Sequence, residues 1–313
     1  MALACAACAP VMHQARRAPD APPSARELES QQRVANCPVN AGLFVPGVLQ
    51  MCRGRKTEGT VLASLGVAEL GAAVAGGAAN GFSSSAAGVP LIALGDLWTL
   101  SVIDVALEEQ RAARLSYVPQ ESLAELARAP FSFEVLSRSS VWAGIAGSLA
   151  AGILVSAIVD HGIDTSNAGK RPVIFGREMN SAVGYPLAAA VGVGLFEHVA
   201  VAEEMAFRGA LQSSWARSLD ETRAWAYASL VFGAAHGSNV LFLDRGQRLT
   251  YLAVGLPFIT LLGGYLGLAY RWNDYSLAPS VAIHFWYDFL IEAFAFVTDP
   301  KNSPLALSWG MPF

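Results

Sequence analysis

The sequence predicts an all-α protein, a polytopic bundle of about seven to eight membrane helices. Three observations carry this. Hydrophobic residues fill 53% of the 313 positions, and mean hydropathy is +0.39. Charged residues fill only 15%, against roughly 25% in an ordinary soluble domain. The apolar residues also fall in runs close to the roughly 20 residues a helix needs to cross a bilayer. Membrane barrel strands would alternate polar and apolar positions; these runs do not, so helices alone account for them.

Residues 1–40 are the one clearly polar stretch, with Arg16, Arg17, Asp20, Glu27, Glu29 and Arg33, and with Pro19, Pro22 and Pro23 opposing a helix. They read as a flexible tail. Residues 41–180 read as accessory membrane helices, with spans near 60–79, 89–107 and 139–159 and a polar link over 108–138. The stretch 41–51 is apolar but short, which suits a re-entrant or interfacial piece. Residues 181–298 read as the membrane core, with spans near 181–202, 224–243, 249–270 and 276–298, and 299–313 as a C-terminal tail.

Arg53, Arg55 and Lys56 before the first span, and Arg111, Arg114, Arg128 and Arg138 after the second, favour placing both flanks in the cytoplasm. Arg far outnumbers Lys and Ala and Gly are abundant, which suits a GC-rich bacterial genome and hence a multi-pass protein of the inner (plasma) membrane. A net charge of -4 excludes a generic nucleic-acid binder, which needs a basic stripe. Cys5, Cys8, Cys37 and Cys52 have no histidine at zinc-finger spacing and read as ordinary thiols. Trp142, Trp215, Trp225, Trp272 and Trp286 read as interfacial anchors or lipid-facing bulk, with Trp286 also able to shape a groove.

Charge within a span costs about 2.5–3.5 kcal/mol per residue on insertion scales, yet the second half of the chain places three ionisable clusters in apolar runs. Glu203-Glu204-Met205-Ala206-Phe207-Arg208 puts Glu204 and Arg208 four apart, on one helix face, as an ion pair. Glu203 points about 100° away, with no cation of its own helix beside it, which suits a general base. Phe232-Gly233-Ala234-Ala235-His236 lies on a helix kept thin by small residues. His284-Phe285-Trp286-Tyr287-Asp288 sets His284 and Asp288 on one face, with Glu292 a turn further on. Each motif has a bland reading: a structural ion pair, a hydrogen-bonded core histidine, a packing pair. Their joint occurrence on membrane-length segments favours convergence inside the bundle. Glu197 and His198 are candidate supporting partners, whereas Glu69, Asp96 and Asp104 are too isolated to interpret.

The ordered series Glu203-Glu204-x-x-x-Arg208, Phe232-x-x-x-His236 and His284-x-x-x-Asp288 resembles the CPBP family of intramembrane proteases. That family holds the CAAX prenyl endopeptidases and the bacterial abortive-infection and bacteriocin-immunity proteins. Phe207 and Gly209 fit its first motif as well. The resemblance covers about residues 180–298. It implies an endopeptidase acting on a membrane-associated peptide or protein, with Glu203 activating water, assisted by His236. His284 and Asp288 would steady the oxyanion, or Glu203, His236, His284 and Asp288 would together bind a divalent metal such as zinc. Glu204 and Arg208 would hold the site together or engage substrate. Asp288 stands where the prenyl endopeptidases usually carry Asn, which points away from a dedicated CAAX enzyme; an ionised Asp cannot donate to an oxyanion. A metal-free glutamate mechanism and a metalloprotease both remain open, since no H-E-x-x-H pair is present. The rival class is a non-catalytic membrane protein, an immunity factor, scaffold or ion-pathway component using the same buried polar groups.

Overall fold

The computed structural model describes residues 22–36, 45–81, 85–159, 165–174, 177–241 and 245–301. Among them thirteen α-helices follow in order: α1 (Ala25–Asn36), α2 (Val48–Cys52), α3 (Lys56–Asn80), α4 (Ser85–Ala112), α5 (Leu123–Arg128), α6 (Phe133–Leu136), α7 (Ser139–Val159), α8 (Ser181–Glu204), α9 (Ser213–Ser218), α10 (Glu221–His236), α11 (Arg245–Thr250), α12 (Leu256–Trp272) and α13 (Ala278–Thr298). A two-residue antiparallel hairpin, β1 (Val173–Ile174) with β2 (Arg177–Glu178), precedes α8. Val173 N donates to Pro300 O at 2.8 Å, so this hairpin sits at the far end of α13.

Six helical stretches among the described residues are long and apolar enough to span a membrane: 56–78, 90–112, 139–158, 181–218, 245–272 and 278–298. The expected run at 224–243 differs. Its helix, α10, has 16 residues and gives way to a 3₁₀ turn at Gly237–Leu241. It ends at His236, so one site residue sits where the helix changes form. Large apolar side chains face outward, among them Val67 (72% exposed) and Leu261 (74%), as a lipid-facing surface requires.

Lipid is as apolar as leucine, so burying Leu97, Leu107, Leu266, Ile283 and Phe285 between helices is not what drives their association. Close approach and interhelical hydrogen bonds do that. The face of α12 is a series of accepting carbonyls: Arg208 Nη2 donates to Gly263 O at 2.8 Å, Trp225 Nε1 to Gly264 O at 2.8 Å and Gln212 Nε2 to Gly267 O at 3.1 Å. Glycine permits it. A Cβ at Gly263 would stand 2.6 Å from the Phe232 ring, and one at Gly267 2.8 Å from Gln212 Oε1. Trp286 Nε1 donates to Pro130 O at 2.8 Å, so Trp225 and Trp286 also tie elements together.

Three other expectations are corrected. The stretch 1–40 is not free of helix: α1 begins two residues after Pro23, and Leu28 N donates to Ser24 O at 3.0 Å. Prolines placed ahead of the first turn do not oppose a helix. Arg26 Nη1 and Nη2 hold α1 to Gln120 O at 2.6 Å and to Glu125 Oε1 at 2.9 Å. Asp104 is not isolated, because Arg55 Nη1 and Gln50 Nε2 donate to its Oδ2 at 2.5 and 2.9 Å. Cys52 is disulfide-bonded rather than a free thiol; spacing along the chain does not show pairing, which depends on approach in space. Cys5, Cys8 and Cys37 lie outside the described residues.

Candidate active site

The site is built where α8 changes form. Asn180 caps the helix by accepting from Ala182 N at 2.9 Å, and α8 then runs unbroken to Glu204. The next eight residues, Met205–Gln212, form a π-helix before α9 resumes the α form. Such wide turns are rare and occur frequently at functional sites. After this one, Ser213 Oγ donates to Tyr117 O at 2.6 Å and lies 3.1 Å from Arg208 O.

Glu204 points into the bundle and is fully buried. Its Oε1 accepts from Arg208 Nη1 at 2.9 Å and from His284 Nδ1 at 2.9 Å. Arg208 is 1% exposed; its guanidinium carbon also lies 4.3 Å from the centre of the Phe232 ring. Phe232 is thus the packing hub, with ring centroids 4.6 Å from His236, 5.0 Å from Phe207 and 6.0 Å from His284.

Glu203, one residue earlier, faces the other way. Its Oε2 lies 3.8 Å from His236 Nε2 and 3.8 Å from His284 Nε2, longer than a direct hydrogen bond. His236 Nδ1 donates to Phe232 O at 2.8 Å, which turns Nε2 toward Glu203. Tyr251 OH donates to His236 O at 2.7 Å and fixes the helix end. A cavity of about 260 Å³ opens on this centre, lined by Glu203, His236, Asp96, Phe207 and Asn239 among others. His284 and Asp288 stand behind Glu203, outside that lining.

His284 is clasped from both sides. Nδ1 meets Glu204, and Nε2 lies 3.3 Å from Asp288 Oδ2. Because Glu204 already accepts from Arg208, the hydrogen at Nδ1 belongs to His284. A bare Nε2 would then face two carboxylates, giving three acceptors and no donor.

All six expected residues, Glu203, Glu204, Arg208, His236, His284 and Asp288, lie in one connected cluster. His198 does not join it: its Nδ1 donates to Gly194 O at 2.9 Å, and its Nε2 lies 3.3 Å from Glu69 Oε1. Asp96, left uninterpreted from sequence, lines the cavity. Its signal was a carboxylate inside an apolar run. The donor types would suit zinc, but among the described residues no group of three or more His, Cys, Asp or Glu side chains is gathered so as to hold a metal ion. His284 has both ring nitrogens turned to carboxylates. An imidazole that gives one ring N–H to a carboxylate and turns its other nitrogen toward further donor groups is also how histidine is held at metal sites; no step is routed through a metal.

A family model described as type II CAAX prenyl endopeptidase Rce1-like matches residues 185–290, the segment that carries α8 to α13 and every residue of the cluster. The match agrees with the resemblance drawn from the three motifs: this segment is similar to the CAAX-type membrane proteases. No curated protein and no solved structure matches the chain.

Proposed function

We infer that the protein is an intramembrane endopeptidase, a multi-pass enzyme of the inner membrane, in which Glu203 activates the attacking water. The observation that carries this reading is the placement of Glu203 Oε2 between two imidazole Nε2 atoms, 3.8 Å from each, at the edge of a 260 Å³ cavity. A water in that cavity can touch the carboxylate and His236 together, and general-base assistance of this kind is worth about 10²–10⁴ in rate. His236, on the cavity wall, is the imidazole within reach of the substrate carbonyl and the leaving amine. His284 and Asp288 stand behind Glu203 and orient its carboxylate. Glu204 and Arg208 fix His284 from its far side and complete the scaffold.

On this reading Glu203, Glu204, His236, His284 and Asp288 supply the chemistry without a metal. The substrate is a membrane-associated peptide or protein tail; the family description supports a prenylated CAAX tail as the first probe. The test is cleavage by purified protein in liposomes of a peptide ending in a prenylated CAAX tetrapeptide, with the products mapped by mass. Internal cleavage next to the prenylated residue supports the reading. Intact peptide, with a second unprenylated membrane peptide also intact, contradicts it.

A further inference from the structure

One ionisable group of the cavity has no task in this mechanism. Asp96 projects from the middle of α4 and shares the cavity lining with Glu203 and His236. Its Oδ2 is buried and has no hydrogen-bond partner among the described residues. A buried carboxyl oxygen without a partner is costly, so a partner arriving from outside the chain would recover that cost.

The neighbouring residues narrow what that partner is. Thr99 donates its hydroxyl to Gly95 O at 2.9 Å, and Ser238 donates to Ala235 O at 2.9 Å. Both hydroxyls, their protons committed, offer the cavity lone pairs only. Glu203 Oε2 is likewise buried and without a hydrogen-bond partner among the described residues. Among the described residues no Lys or Arg lines this cavity. Apart from the Asn239 amide, the polar groups of the lining are acceptors, and such a set fits a donor. The donor that every peptide carries, whatever its side chains, is the backbone N–H, which must be satisfied in an apolar interior.

We propose that Asp96 is a substrate-binding residue whose carboxyl accepts the N–H of a peptide unit next to the scissile bond, fixing the register of the extended substrate beside Glu203. This rests on the protease reading and extends it from the groups that move protons to one that holds the chain.

The test pairs substrate and enzyme changes. A quenched peptide ending in a prenylated CAAX tetrapeptide is N-methylated at one amide at a time around the cleavage site and assayed in liposomes. With the unaltered protein, one position raises KM by about tenfold, the size of one lost hydrogen bond. With Asp96→Ala the parent peptide already shows that KM, kcat stays within about threefold, and methylation at that position adds nothing. Asp96→Asn keeps an acceptor and keeps the sensitivity. Should Asp96→Ala fail to fold, Asp96→Leu takes its place.

Fluorescence anisotropy of the same labelled peptides on the Glu203→Gln protein repeats the comparison without turnover. Absence of cleavage by the unaltered protein therefore overturns the protease reading alone, while this binding arm still judges Asp96. Methylation penalties that all survive removal of the Asp96 carboxyl would overturn the proposal, as would loss of kcat in Asp96→Asn equal to that of Glu203→Gln.

Discussion

A single oxygen, Glu204 Oε1, receives both Arg208 Nη1 and His284 Nδ1, each at 2.9 Å. Through it α8 and its π turn are locked to α13, and through the Arg208 bond to Gly263 O they are locked to α12. The glutamate beside it is left to face the cavity. Adjacent carboxylates thus take different tasks because successive helical side chains point about 100° apart.

Arg208→Lys removes the planar fork that reaches Glu204 and Gly263 O at once. Lysine keeps the charge but cannot serve both acceptors, and a lost hydrogen bond to a charged group costs about 1.5–3 kcal/mol. Thermal unfolding in detergent should fall markedly, and activity with it. Glu203→Gln, which breaks no hydrogen bond, should leave the melting temperature within a few degrees.

Gly263→Ala places a Cβ 2.6 Å from the buried Phe232 ring and 3.3 Å from Arg208 Nη2. Overpacking of this kind costs about 1–3 kcal/mol. Because Phe232 packs on both histidines, the variant should lose kcat out of proportion to its loss of stability. Gly147→Ala, where an added Cβ meets nothing within 4 Å, is the control and should lose neither.

A pH dependence arises outside the spans, at the capping box of α5. Partial burial disfavours the ionised Glu125, but hydrogen bonds from the Ser122 amide, Arg26 and the Ser122 hydroxyl outweigh it and hold the carboxyl below its usual range. A depressed value means the stabilisation is present above the unfolded value of about 4.3 and is lost as pH falls through the folded one. Glu125→Gln should weaken hydrogen-exchange protection of α5 by about 0.5–1 kcal/mol at pH 7, the small end of capping effects for a half-exposed group. The difference from the unaltered protein should shrink steadily below pH 4.

Metal removal gives a separate outcome. Protein dialysed against a strong zinc chelator should keep its rate of peptide cleavage. Loss of activity on chelation with recovery on zinc addition would show that His284 leaves its carboxylate partners to bind a metal.

Much of this site was legible in the chain because each motif is local. Glu204 and Arg208 share a helix face by spacing alone, as do His284 and Asp288, and intramembrane charge marked all of them. What the spacing could not give was contact between helices. Nothing in the sequence says that His284 reaches Glu204, that Glu69 takes His198, or that Asp96 reaches the cavity of Glu203; those depend on how α3, α4, α8 and α13 cross. The π turn was also hidden, since Met205–Gln212 reads as ordinary helix. At the other end, Asp104 looked stranded because its partners, Gln50 and Arg55, lie about fifty positions earlier, across the α3–α4 packing.

The central claim is that Glu203 is the base. Turnover of the CAAX peptide by Glu203→Gln, measured in liposomes beside the unaltered protein at equal folded fraction, tests it directly. The rate should fall by at least about 10²-fold while peptide binding persists. A variant that cleaves at more than a tenth of the original rate would contradict the account.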